Sequence, residues 1–231
     1  MSMLGTIVNT LGILLGGGLG LLVVKLFHRG IPQRYSDMIM NGMALCVFSI
    51  AFGGILQGQN TMITIFSMVL GSVIGEWMDL NSKVERLSQK LEQHFSKESS
   101  GAFARAFMTS TLLFCVGAMS IKGALDSGLL NDHSILYAKS IMDGITSCLF
   151  ASTMGVGVLF SAASIFIYEG ALTLLASVAA PFLSDVVIAE MNATGSLLLL
   201  AMSLNLLGVT KLKIMNYLPA IFLPILFCQF M

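Results

Sequence analysis

Lys139 and Asp143 stand four residues apart in the apolar run "SILYAKSIMDGITSCLFAS", and Glu169 sits in the middle of another, "FIYEGALTL". A helix puts residues four apart on one face, so the ammonium and the carboxylate can pair, which lowers the cost of placing both in an apolar medium. Thr146 and Ser147 continue that polar face. Glu169 has no base on its own helix. Its carboxylate must be protonated, bound to a cation, or paired with a base from another helix, and Lys139 and Lys122 are the bases within apolar segments. Asn9, Asn41, Ser120 and Asn205 fall at comparable depth in other apolar runs, where they can add neutral hydrogen bonds. Hydrogen-bonded glue between helices is the plain structural reading of the neutral groups. Charges inside a membrane are costly and mark function by default. The chemistry this set suits is the binding of a small ion, or of a solute with charged ends.

The other familiar chemistries are missing. His28, His94 and His133 have no spacing that gathers a metal, and there is no P-loop, Gly-x-Ser-x-Gly elbow or His-Glu-x-x-His. We expect no enzyme activity, no metal and no cofactor. Cys46, Cys115, Cys148 and Cys228 lie in apolar runs without a Cys-x-x-Cys pair and read as small buried hydrophobes.

The elements that must position these groups follow from composition. Of 231 residues 56% are hydrophobic and only 10% charged, with mean hydropathy +0.88. Soluble domains carry roughly 25% charged residues, so the solvent for most of this chain is lipid, and its zero net charge gives no reason to expect a nucleic acid partner. Unpaired backbone groups are not tolerated in hydrocarbon, so the apolar runs must be helices of about 20 residues. Eight spans are expected, near 4–26, 38–56, 61–78, 103–123, 135–153, 155–180, 190–208 and 212–230. The result is an all-α polytopic bundle forming a single integral membrane domain over 1–231.

Charge sets its orientation. With both termini outside, the inner connections hold Lys25, Arg29 and Arg34, then Lys83, Arg86, Lys90, Lys97 and Arg105, then Lys211 and Lys213, leaving only Lys122 and Lys139 of the twelve bases elsewhere. The outer connections hold Asp126, Asp132, Asp185 and Glu190. Bases follow the first apolar run and none precedes it, the opposite of a cleaved signal, so a retained helix is expected. Glu76 and Asp79 close the third span at the interface.

Three further patterns bear on packing. In "GILLGGGLG" (12–20), Gly12, Gly16 and Gly20 recur every four residues on one helix face. The pattern is not the Gly-x-Gly-x-x-Gly of a dinucleotide loop, and it interrupts one continuous apolar run. Small residues at that spacing let helix backbones approach closely. The segment 79–100 carries Leu80, Val84, Leu87, Leu91 and Phe95 at helical spacing between charges, an amphipathic cytoplasmic helix between the third and fourth spans. Finally, "GAMSIKGAL" (117–125) resembles "LAMSLNLLG" (200–208), and the two run in opposite directions, which suggests an inverted repeat of the kind found in secondary transporters.

The blocks "GSVIGE" (71–76), "SILYAKSIMDG" (134–144), "YEGALTLLA" (168–176), "NATGSLLLLAMSLNLLG" (192–208) and "NYLPAIFL" (216–223) resemble those of domain-of-unknown-function family 554, and the likeness runs from "GTIVN" to "NYLPA". It implies a bacterial inner-membrane protein of a family labelled as a transport candidate. Its blocks include Lys139, Ser140, Asp143, Asn205 and Asn216. The family pattern commonly has a neutral glutamine where this chain has Glu169, which favours Asp143 as the shared charged group. The expectation is a secondary transporter or channel for a small solute or ion. Asp143 binds a proton, a sodium ion or a cationic solute group, and Lys139 alternates between Asp143 and an anionic solute group. Asn9, Asn41, Ser120, Asn205 and Glu169 complete the site, with Lys122 within reach. The alternative is a non-transporting scaffold or sensor in which Lys139–Asp143 is a structural clasp. The glycine face and the amphipathic helix are both compatible with a homodimer.

Overall fold

The computed structural model describes residues 3–26, 33–95 and 102–230, and every regular element among them is helical. In chain order these are α1 (Leu4–Leu26), α2 (Gln33–Ile55), α3 (Thr61–Met78), α4 (Leu80–Phe95), α5 (Ala102–Cys115), α6 (Ala118–Leu129), α7 (Ser134–Met154), α8 (Gly157–Leu174), α9 (Ala176–Ala179), α10 (Asp185–Leu206), a 3₁₀ stretch Ile214–Ile221, and α11 (Pro224–Phe227). The chain divides into two compact units. The first is Met1–Ile39, Arg86–Cys115 and Met119–Ala179; the second is Met40–Glu85, Val116–Ala118 and Ala180–Met231.

In the first unit the glycine face of α1 lies against α7 of the same chain. A Cβ added at Gly12, Gly16 or Gly20 would land on the backbone carbonyls of Ser140, Gly144 and Cys148 in turn. Both series rise together, so the two helices run parallel with their backbones in contact, the arrangement that small residues four apart permit. On an adjoining side of α1, Leu11, Leu15, Leu19 and Leu22 are exposed, as a lipid-facing stripe requires. α8 runs antiparallel to α1, with Thr6 bonded to Thr173 and Asn9 to Glu169. Gly157 lets α8 close on Phe103 and Ala106 of α5. The α7–α8 connection turns at Gly155, whose φ of 87° suits glycine.

In the second unit, Gly71 and Gly75 of α3 admit the backbone of Ala220 and Asn216 from the 3₁₀ stretch, and Gly54 at the end of α2 admits the Ser196 side chain of α10. Asp79, with φ 47°, caps the end of α3 before α4 begins.

Three of the expected spans change. Among the described residues five helices are long and apolar enough to cross a membrane, namely Leu4–Lys25, Asp37–Ile55, Thr61–Met78, Gly157–Leu174 and Asp185–Leu206; a sixth arises if α5 and α6, bent by 59°, count as one. Helix α7 is 21 residues long, but its polar face keeps it outside that set. The eighth expected span, 212–230, is not one helix. Pro219 and Pro224 cannot donate to a helical ladder, and the segment is a 3₁₀ stretch followed by one short turn of α-helix. The fourth, 103–123, is broken at Gly117, whose φ of 147° no L side chain adopts readily.

The two segments compared as an inverted repeat do not occupy equivalent places. Gly117–Leu125 opens α6 after a break, whereas Leu200–Gly208 closes α10 before one. Of the 79–100 segment, residues 80–95 form α4. Lys97, at its far end, and His28 and Arg29 in the first inner connection lie outside the described residues.

Candidate functional site

The break in the α5–α6 pair creates the site. Where a helix stops, its last carbonyls lose their partners, and in an apolar interior they must find others. The Phe114 carbonyl, one residue before the end of α5, accepts two: Ser120 Oγ at 2.9 Å and Lys139 Nζ at 2.9 Å. The negative end of the α5 dipole therefore faces the Lys139 ammonium. The same nitrogen donates to Asp143 Oδ2 one helical turn along α7 and lies 3.9 Å from Glu169 Oε1 on α8. Asn9 Nδ2, from α1, donates to both Glu169 oxygens at 3.0 and 3.1 Å. Glu169 and Asn9 are wholly buried, Lys139 is 6% exposed and Asp143 9%. Cys115, at the end of α5, is within electrostatic reach of all three charged groups.

The arrangement holds two carboxylates and one ammonium in a space nearly closed to water. One carboxylate is neutralised by ion pairing, which leaves one negative charge without a matching cation. An unpaired buried charge costs several kcal/mol. The cluster therefore has an inherent appetite for one more positive charge. The oxygen of Asn9, Oδ1, is buried with no hydrogen-bond partner.

The sequence-selected residues divide. Lys139, Asp143, Glu169, Asn9 and Ser120 converge. Lys122 does not: it lies on the exposed side of α6, whose neighbours Ser120, Ile121, Ala124 and Leu125 face inward. Asn41 and Asn205 are not part of the cluster either, and both belong to the second unit. Asn41 is exposed, because the buried stripe of α2 runs through Ala44, Val47, Ala51 and Gly54. Asn205 pins the turn after α10: its Nδ2 donates to the Leu212 carbonyl, and its Oδ1 accepts from Leu212 N and Thr210 Oγ. Glycines 12, 16 and 20 touch the site indirectly, by setting the depth at which α1 carries Asn9 against α8.

One group escaped the sequence reading, and Asn216 of the family blocks takes a place away from the cluster. Glu190, expected in an outer connection, is inside α10 and wholly buried; Oε1 accepts Gln59 N at 2.6 Å and Asn60 N at 2.7 Å, and Thr64 Oγ lies 3.4 Å from Oε2. Asn60 is the N-cap of α3, so the carboxylate sits at a helix N-terminus, where its charge is welcome. Asn216 is also buried. Its Oδ1 accepts Asn81 N at the start of α4, and its Nδ2 donates to Glu76, which also pairs with Lys213 at 3.2 Å. Spacing offered no signal for Glu190, since its donors are backbone amides more than 120 residues away. Glu76 stands at the exposed end of α3, as expected for an interfacial group.

A model of the family described as "Protein of unknown function (DUF554)" matches residues 4–229. The chain is 31% identical over 226 residues to "Uncharacterized membrane protein YdfK" of Bacillus subtilis (strain 168), covering 96% of this chain and 94% of that protein. It is 29% identical over 224 residues to "Uncharacterized protein YqgA" of Escherichia coli (strain K12), covering 95% and 94%. No solved structure matches it.

Proposed function

The chain belongs to the DUF554 family, an integral membrane family of unknown function, and from that premise we propose that it is a secondary transporter or channel for a small solute or ion in a bacterial inner membrane. The observation that carries this reading is the excess of buried carboxylate over ammonium at the α5–α6 break. A site with one negative charge to spare takes up a small cation, and releases it when a competing positive charge arrives. Lys139 is that competitor. Held by Asp143, it leaves Glu169 to a cation; swung toward Glu169, it frees Asp143 for a solute cation or another proton. Its anchor on the Phe114 carbonyl ties the swing to the bend between α5 and α6. Broken helices at such depth are tolerated where they line a site.

A purified, reconstituted protein tests this. A thermal-shift screen against ions, amino acids and organic acids over a pH series identifies what binds, since ligands of the folded form stabilise it by mass action. Asp143→Asn then abolishes cation-dependent uptake of the identified solute into liposomes while the protein stays folded. Unchanged uptake sinks the mechanism. The second reading, a scaffold or sensor with Lys139–Asp143 as a clasp, is favoured by the burial of that pair and its tie to the Phe114 carbonyl. It requires instead that Asp143→Asn lower the melting temperature and that no solute raise it.

A further inference from the structure

We propose that Glu169 is the proton-binding group of the cluster, carrying one exchangeable proton that it shares with Asn9, while Asp143 is the counterion of Lys139 whenever Glu169 is protonated. This rests on the cluster assigned above, and it names the coupling ion. The groups facing Glu169 are few. α1 presents Asn9, α7 presents Lys139 and Asp143, α5 and α6 present Cys115 and Ser120, and Tyr168 adjoins it on α8 itself. Lys139 is the single base among them. Its three N–H groups are directed by Asp143, at contact distance, and by the Phe114 carbonyl, while Glu169 stands at 3.9 Å, beyond hydrogen-bond length. Charge balance assigns the ammonium to Asp143. Glu169 is left wholly buried with only neutral donors, so the further positive charge belongs on it.

Asn9 identifies that charge as a proton. A carboxylate offers only acceptors, so Asn9 can turn only its N–H groups toward it, and Oδ1 is stranded in the interior without a partner. A protonated Glu169 has an O–H to give. A tilt of the Asn9 amide into a cyclic amide–acid pair keeps Nδ2 donating to one Glu169 oxygen while Oδ1 accepts the O–H on the other, so the orphaned acceptor is satisfied and no charge remains unpaired. A sodium ion fits poorly, because hard cations need several oxygen ligands. Here Asp143 and the Phe114 carbonyl are already engaged by Lys139, which leaves a cation only Glu169 and Asn9 Oδ1.

Proton counting by infrared spectroscopy tests this without a transport assay. The full-length protein in liposomes, near neutral pH, shows the carbonyl band of a buried carboxylic acid, and the band shifts when glutamate is labelled with ¹³C at its side-chain carboxyl. The band is lost in Glu169→Gln. It is lost in Asp143→Asn as well, because Lys139 then serves Glu169. In Lys139→Met two such bands appear, one shifting with labelled glutamate and one with labelled aspartate. The labelling needs no variant, so the assignment stays testable if a variant fails to fold. Absence of the band from the wild-type protein, its movement with labelled aspartate alone, or its survival in Glu169→Gln overturns the proposal. Failure of uptake with the band intact defeats the transport reading and leaves the proton site standing.

Discussion

Glu169 in the first unit and Glu190 in the second are both wholly buried carboxylates on long apolar helices, yet they are held by opposite means. Glu190 is gripped by successive backbone amides at the start of α3, donors that cannot leave without undoing the turn that carries them. Glu169 is held by an amide side chain and faces an ammonium already bound to a second carboxylate. Backbone donors at a helix N-terminus compensate a charge permanently, through dipoles fixed by the fold. Side-chain donors that serve two acceptors compensate it conditionally. The first arrangement locks the α2–α3 hairpin to α10; the second gives a site two states.

The substitution with the largest expected effect breaks the comparison by removing one side of it. Gly16→Leu drives a side chain into the Gly144 backbone, which has no side chain that can step aside. The parting of α1 from α7 carries Asn9 away from Glu169. A loss of about 3 kcal/mol or more, the upper end of overpacking costs, is expected. Size-exclusion and melting profiles in detergent check it; a wild-type melting temperature would show that the glycine face is not a structural requirement.

A paired substitution sharpens the comparison. Glu190→Ala strands two amides in the second unit and lowers stability by about 3 kcal/mol, since each unmet buried donor costs about 1–3 kcal/mol. Glu169→Gln, which keeps an acceptor for Asn9 and is uncharged like the protonated acid, changes stability by less than about 1 kcal/mol in either direction. Denaturant or thermal unfolding of the two variants side by side decides. Equal losses would mean that Glu169 is as structural as Glu190.

The smallest effect belongs to Asp132, which uses the Glu190 device in the open. Its Oδ1 accepts the Ser134 amide at the start of α7 at 2.9 Å, and that backbone bond holds its pKa below the usual aspartate value. A depressed folded value means that the contribution is present above the ordinary aspartate pKa and is lost as pH falls through the folded one. Asp132→Asn therefore leaves stability at neutral pH almost unchanged and flattens its decline in acid, measured as melting temperature against pH. An acid decline identical in both proteins would show that this contact contributes nothing.

Composition alone determined that this chain lives in lipid and is helical, because too few polar residues exist to cover a water-facing surface. Helix periodicity alone determined that Lys139 meets Asp143 and that Gly12, Gly16 and Gly20 share a face, since both follow from 3.6 residues per turn. The tertiary structure decided the rest. It joined Asn9 to Glu169 across 160 positions, sent Asn205 to a turn and Lys122 outward, and buried Glu190 against amides from a distant loop. It also broke α5 from α6 where Lys139 could take up the freed carbonyl. Contacts within a turn of helix obey a local geometry that the order of residues already contains. Contacts between helices depend on which faces pack and at what depth, and here that depth is set by the backbone-to-backbone approach of α1 and α7.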